Sequence, residues 1–127
     1  MKVLDASAVL VLLNGEAGAS AALREIEDGP SVISAVNYAE VMSKMVEWNV
    51  GVDDVLALRN SLRLTVVDAT AELALAAALL RDTTRKLGLS LADRFCLALA
   101  QSLDGAVVVT ADRAWKAVKG FRFAFVR

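Results

Sequence analysis

Four carboxylates stand out as candidates for chemistry: Asp5 in the opening KVLDASAV, Glu40 in SAVNYAEV, Asp93 in LSLADRFCLALA and Asp112 in VVVTADRAW. Three of them are the only charges, or nearly so, in otherwise apolar stretches. The chain has no histidine and a single cysteine, Cys96. Histidine general bases, Ser-His and Cys-His nucleophile pairs and imidazole zinc sites are therefore excluded, as is an intrachain disulfide. A lone thiol fits a reducing compartment. The chemistry left is that of carboxylates, hydroxyls, Lys/Arg and bound metal. An ionised carboxylate taken out of water without a partner costs several kcal/mol, and several carboxylates together repel one another and raise their pKa values. A divalent cation relieves both costs. Hard cations such as Mg²⁺ choose oxygen ligands and keep several waters beside one or two carboxylates.

Each acid also has an ordinary structural reading. Asp5 and Ser7 are both suited to cap a helix starting near Ser7. Ser90-Leu91-Ala92-Asp93 resembles a capping box with Asp in place of Glu, and Asp112 suits the start of a short helix. Glu40 shares a polar stripe with Asn37, Lys44 and Glu47, as a solvated helix face would. Taken together these readings weaken, because three caps would have to fall at strand ends or helix starts that converge on one rim. Glu25, Glu27, Asp53, Asp54, Asp82 and Asp104 read as surface or turn residues.

The elements that position these acids alternate between strand and helix. Strands are expected at 2–5, Ser31–Ser34, Leu64–Val67 and Ala106–Val109, and Phe121–Val126 alternates as an edge strand does. Helices are expected from Ser7 to Leu13, over 19–28 (stopped by Gly29-Pro30), over 35–48, from Val52 to Leu62, over 70–87 (closed by Gly88) and over 90–103, with a short one near 112–117. Short apolar strands separated by helices imply a parallel sheet covered on both faces, an α/β protein. In such sheets ligands bind beyond the carboxyl ends of the strands, at a topological switch point.

The 127 residues fit a single domain, and at 57% hydrophobic they carry enough apolar material for one core, so disorder is excluded. Net charge is −1, from 14 basic and 15 acidic residues, so total charge does not indicate a strongly basic nucleic-acid module. The distribution is uneven: residues 1–63 hold 5 basic and 9 acidic groups, and residues 64–127 hold 9 and 6. After Asp112 come Arg113, Lys116, Lys119, Arg122 and Arg127 with no acid, a run suited to phosphates as well as to plain solvation. The apolar run from Ala6 to Leu13 is too short for a membrane span and is preceded by Asp5, so the expectation is a soluble, cytoplasmic protein without a membrane partner.

The motifs and their order resemble the PIN domain, most closely the VapC toxins of toxin–antitoxin pairs. Val3-Leu4-Asp5-Ala6-Ser7-Ala8 is similar to the first acidic motif and Ser34-Ala35-Val36-Asn37-Tyr38-Ala39-Glu40-Val41 to the second. Leu89-Ser90-Leu91-Ala92-Asp93 is similar to the third, and Val109-Thr110-Ala111-Asp112-Arg113-Ala114-Trp115 to the fourth. The match covers essentially the whole chain, so residues 1–127 would be one PIN domain.

The resemblance implies a three-layer α/β/α fold with a parallel sheet in order 3-2-1-4-5. It implies a ribonuclease dependent on Mg²⁺ or Mn²⁺, with Asp5, Glu40, Asp93 and Asp112 as the acidic, metal-holding site. Asp5 and Asp93 would be the firmest ligands, with Ser7 and Thr110 as supporting hydroxyls. Arg94 and Arg113 lie beside site acids and would meet phosphate. The family's further variable acid after the fourth motif has no counterpart, since Lys116 and Lys119 occupy that region. The implied partners are an RNA substrate, a second copy in a homodimer and a VapB-like antitoxin. Val41, Met42, Met45, Trp48, Val55, Leu56 and Leu58 supply interface material as well as core.

Other readings are an RNA-processing housekeeping nuclease on the same fold, or a PIN-fold chain that only binds. A receiver-type module and an Asp-x-Asp phosphatase are disfavoured: Asp5 lacks an adjacent acid, and Ser7 stands where the phosphatase has its second Asp.

Overall fold

Five short strands run parallel in the computed structural model, which describes residues 1–127. They are β1 (Lys2–Leu4), β2 (Ser31–Ser34), β3 (Thr65–Val67), β4 (Val107–Thr110) and β5 (Arg122–Phe125), in the spatial order β3-β2-β1-β4-β5. The helices are α1 (Ala6–Leu13), α2 (Ala19–Glu27), α3 (Ala35–Glu47), α4 (Val52–Ser61), α5 (Ala71–Leu79), α6 (Arg81–Thr84) and α7 (Leu91–Ser102). Two 3₁₀ helices, Arg85–Leu87 and Arg113–Ala117, complete the chain. None of the helices is long and apolar enough to cross a membrane.

The central strands show why three layers form. Successive strand side chains face opposite sides. Val3, Val32 and Val108 pack with α5, α7 and Trp115 on one side of the sheet. Their neighbours Leu4, Ile33 and Val109 pack with α1, α2 and Val41 on the other. Strands apolar at every position are what a sheet covered on both faces requires. The C-terminal segment seals one layer: Val126 is buried and its N–H donates to the Thr110 carbonyl. Its own carbonyl passes so close to Gly18 that a Cβ there would lie 2.3 Å from the oxygen, and Gly18 holds φ +101 as well.

The element order agrees with the sequence reading, with two differences of consequence. The single helix expected over 70–87 is broken after Leu79 and finishes in the 3₁₀ helix Arg85–Leu87. Thr83 and Thr84 both turn their hydroxyls onto the Leu80 carbonyl, at 3.2 and 2.7 Å, and such back-bonding loosens a helix. Strand β4 runs to Thr110, one residue beyond Val109, which places the Thr110 side chain at the carboxyl rim.

Candidate metal centre

Chain order reverses at β1, whose neighbours are β2 and β4, so the crevice between the carboxyl ends of β1 and β4 is the switch point. Asp5 leaves β1 there and is buried. It stands at the N-cap of α1, yet its side chain makes no capping hydrogen bond. Instead its Oδ2 accepts the Ser7 hydroxyl at 2.5 Å and the Thr110 hydroxyl at 3.0 Å. Each hydroxyl has one proton, and both protons are spent on Asp5. Ser7 Oγ in turn accepts the Ala111 N–H at 2.9 Å, and Thr110 Oγ1 accepts the Asp112 N–H at 3.1 Å. The 3.2 Å approach of the two hydroxyls to each other is thus a contact between donors already committed. The other oxygen of Asp5, Oδ1, accepts no hydrogen bond within the chain and is not sealed from solvent. One oxygen is held by the fold and the other is free.

Glu40 and Asp93, on other elements, stand near enough to Asp5 for their charges to act on it. Burial pushes the Asp5 pKa up to about 6; the Ser7 and Thr110 hydrogen bonds oppose this, and the charges of Asp93 and Glu40 add to it. Glu40 lies exposed on α3, and its pKa is raised by the partial burial of its carboxyl and then by Asp93, with Asn37 and Lys44 pulling the other way. The Cys96 thiol, wholly buried on α7 one turn below Asp93, is raised well above its ordinary value by burial and then by Asp5, Asp93 and Glu40. Three acids from three elements therefore share one electrostatic neighbourhood.

Asp93 forms the capping box suggested by its spacing: Ser90 N–H donates to Asp93 Oδ2 at 2.9 Å and Asp93 N–H to Ser90 Oγ at 3.1 Å. Its Oδ1 is uncommitted. Asp112 stands apart from the three, exposed at the rim, and does what a helix-starting residue does. Its Oδ1 accepts the Ala114 N–H at 3.0 Å, leaving Oδ2 free, and it has no part in the shifts of Asp5 and Glu40.

Two residues differ from the sequence reading. Arg94, expected to meet phosphate, is buried between α7 and α5. Its Nη1 donates to the Ala77 carbonyl at 3.0 Å and its Nε has no partner, so it does not face a ligand at the rim. Asn37, expected on a solvated stripe, is also buried. Its Nδ2 donates to the Ala92 carbonyl at 2.9 Å, tying the helix that carries Glu40 to the start of the helix that carries Asp93. The Ser34 hydroxyl donates to Asn37 Oδ1 and accepts its backbone N–H at 3.0 Å. The S-x-x-N spacing at the start of α3 was the available signal for this strut.

The donor set suits a hard divalent cation. The charge of Asp93 raises the proton affinity of Asp5 and of Glu40, and Asp5 and Asp93 each keep one carboxylate oxygen free of hydrogen bonds within the chain. No three acids close into a protein cage. Mg²⁺ and Mn²⁺ do not need one, since waters commonly complete their shell.

A family model described as PIN domain matches residues 2–120. Among curated proteins none matches the chain. Among solved structures, a toxin–antitoxin complex from Klebsiella pneumoniae has a chain that superposes with TM-score 0.74 at 21% identity, covering 100% of this chain and 98% of that one. VapBC bound to DNA from Salmonella typhimurium gives 0.71 at 19%, covering 99% and 98%. FitAcB from Neisseria gonorrhoeae gives 0.69 at 18%, again covering 99% and 98%. At these identities the likeness is one of fold.

Proposed function

The chain belongs to the PIN-domain family, and from that premise we propose that it is a ribonuclease toxin of a VapBC-like toxin–antitoxin pair, hydrolysing RNA phosphodiesters with Mg²⁺ or Mn²⁺. The observation that carries the reading is the divided Asp5 carboxylate, one oxygen fixed by two hydroxyls and the other free, beside Glu40 and Asp93 at the switch point.

Asp5, Glu40 and Asp93 are the residues to hold the cation, with Asp112 joining from the rim through its free Oδ2. A divalent cation there offsets the repulsion among the acids and supplies positive charge against the phosphodiester transition state. Ser7 and Thr110 fix the Asp5 carboxylate in one orientation and favour its ionised form by donating to it. Asn37 keeps Glu40 in register with Asp93.

The partners follow from surface left uncovered. Val46, Trp48, Val52 and Leu56 are exposed on α3, α4 and the turn between them, and Leu75, Leu79 and Leu91 are exposed on α5 and α7. Of the residues expected to serve an interface, Val41, Met45 and Val55 are buried in the core, while Trp48 and Leu56 are free. The structural neighbours are toxin–antitoxin complexes. An antitoxin and a second copy of the chain are the occupants proposed for these two surfaces, and the cytoplasm is the compartment proposed for the pair.

The test is cleavage of a mixed cellular RNA pool by wild type and Asp5→Asn, each with Mn²⁺, Mg²⁺ or EDTA. Cleavage by wild type alone, abolished by EDTA, is the expected result. Equal cleavage by both proteins, or none by either while folded, refutes the nuclease assignment, and RNA binding without cleavage would leave a chain that only binds.

A further inference from the structure

Part of the positive charge of the second half of the chain lies on two neighbouring elements. The 3₁₀ helices Arg85–Leu87 and Arg113–Ala117 are far apart in sequence but pack against each other. The first leads through Gly88 and Ser90 to Asp93, and the second follows directly from Asp112. Together with the turn after the second, they present Lys86, Arg113, Lys116 and Lys119, all exposed and none in an ion pair. Trp115 anchors the second 3₁₀ helix, buried with its ring edge-on to Phe123 at 6.4 Å. The Arg113 guanidinium lies 5.7 Å over the ring of Phe125. Phe125 pairs in register with Thr110, whose hydroxyl holds Asp5. The half-buried Phe123 stacks on Phe125 at 5.5 Å and gives the platform a rigid base.

We propose that this strip is the track on which a single-stranded RNA substrate is laid as it enters the acidic site. The nuclease reading contributes only the name of the occupant; the juxtaposition is independent of it. Unpaired cations beside an acidic centre give a polyanion somewhere to rest that the acids themselves do not offer, and their field draws it in. Arg113, placed over an aromatic ring, offers a cationic surface on which a base can stack, while the three lysines meet phosphates without regard to sequence. The strip is short: five residues of 3₁₀ helix rise only about 10 Å. That suits a few nucleotides of single strand and not a duplex, which is recognised through contacts spread along successive grooves.

The experiment compares Asp5→Asn, expected to hold RNA without cutting it, with the same protein carrying Lys86→Ala, Lys116→Ala and Lys119→Ala. Both are titrated in Mg²⁺ with a fluorescein-labelled single-stranded RNA of about 12 nucleotides, a length within the range such proteins occupy. With about 0.7 counterions released per phosphate contact, the triple substitution should lower the log–log salt slope by about 2 and weaken binding about 100-fold near 0.1 M salt, with the difference vanishing near 1 M. In the cleaving protein the same three substitutions should raise KM and leave kcat alone.

If wild type cleaves RNA and the triple variant keeps both affinity and salt slope, the track is refuted while the nuclease stands. If binding falls as expected but no RNA is ever cut, the track stands and the nuclease reading falls. An unlabelled duplex of equal length that competes as well as the single strand overturns the single-strand assignment.

Discussion

Replacing the buried acid at the centre of the site should make the metal-free protein more stable. The Asp5 pKa stands at about 6 in the fold against an ordinary 3.8. At about 1.4 kcal/mol per pH unit, keeping this carboxylate ionised costs the fold about 3 kcal/mol. The folded protein holds the proton more tightly than the unfolded chain does. Its contribution to stability is therefore fully present below about pH 4 and is lost as the pH rises through about 6. Asp5→Asn removes the charge but keeps an oxygen for the Ser7 and Thr110 hydroxyls, and its amide replaces the free oxygen among the neighbouring acids. Allowing for imperfect replacement, the variant should gain about 2 kcal/mol at about pH 8 in EDTA, or roughly 6 °C in Tm, and nothing near pH 4. Urea unfolding followed by tryptophan fluorescence measures it, since Trp115 is buried and reports on the core. A variant no more stable than wild type at about pH 8 in EDTA would refute the reasoning.

Three further outcomes are expected. Mn²⁺ at about 100 times its Kd should stabilise wild type by about 2.7 kcal/mol, reversibly with EDTA, and should do much less for Asp5→Asn; thermal melts decide it, and equal shifts in both proteins would remove Asp5 from the ligand set. Arg94→Met should change stability by no more than about 1 kcal/mol, because a buried guanidinium with an unpartnered Nε is often replaced by an apolar chain at no loss. The same variant should leave the KM for RNA unchanged, and a large rise in KM with the fold intact would return Arg94 to the substrate. Gly18→Ala should cost about 3 kcal/mol, since the left-handed backbone and the Val126 carbonyl both oppose a side chain there; a melt within a degree of wild type would contradict it.

The layer order was legible because it rests on local features. Apolar strands, the Gly29-Pro30 break and Gly88 in the left-handed conformation are all visible along the chain. The capping box at Ser90 and Asp93 was legible for the same reason, since its two partners are three residues apart. What escaped the sequence depends on direction and distance. Arg94 follows a site acid by one residue, but on a helix one step turns the side chain by about 100°, and here that turns it into α5. Asn37 reads as a member of a polar stripe until its bond to Ala92, 55 residues away, is seen. The Thr110 hydroxyl that holds Asp5 from 105 residues away was reached only through the family resemblance, since no periodicity encodes such a pairing. The run after Asp112 was legible as basic, but the addition of Lys86 to it escaped, because that residue lies on a second short helix far away in the chain.

The two hydrogen bonds between Ser90 and Asp93 turn one backbone proton into a reporter. An ion that takes only the free Oδ1 of Asp93 leaves the Ser90 N–H bound to Oδ2 and slow to exchange with solvent. An ion that draws on Oδ2 strips that proton of its acceptor, and α7 loses part of its cap. The loss, about 1 kcal/mol, would be deducted from the affinity, leaving the ion held about fivefold more weakly. Deuterium exchange at this single amide, read by NMR with diamagnetic Mg²⁺ and with EDTA, would distinguish the two modes of coordination even in a preparation that has never met RNA.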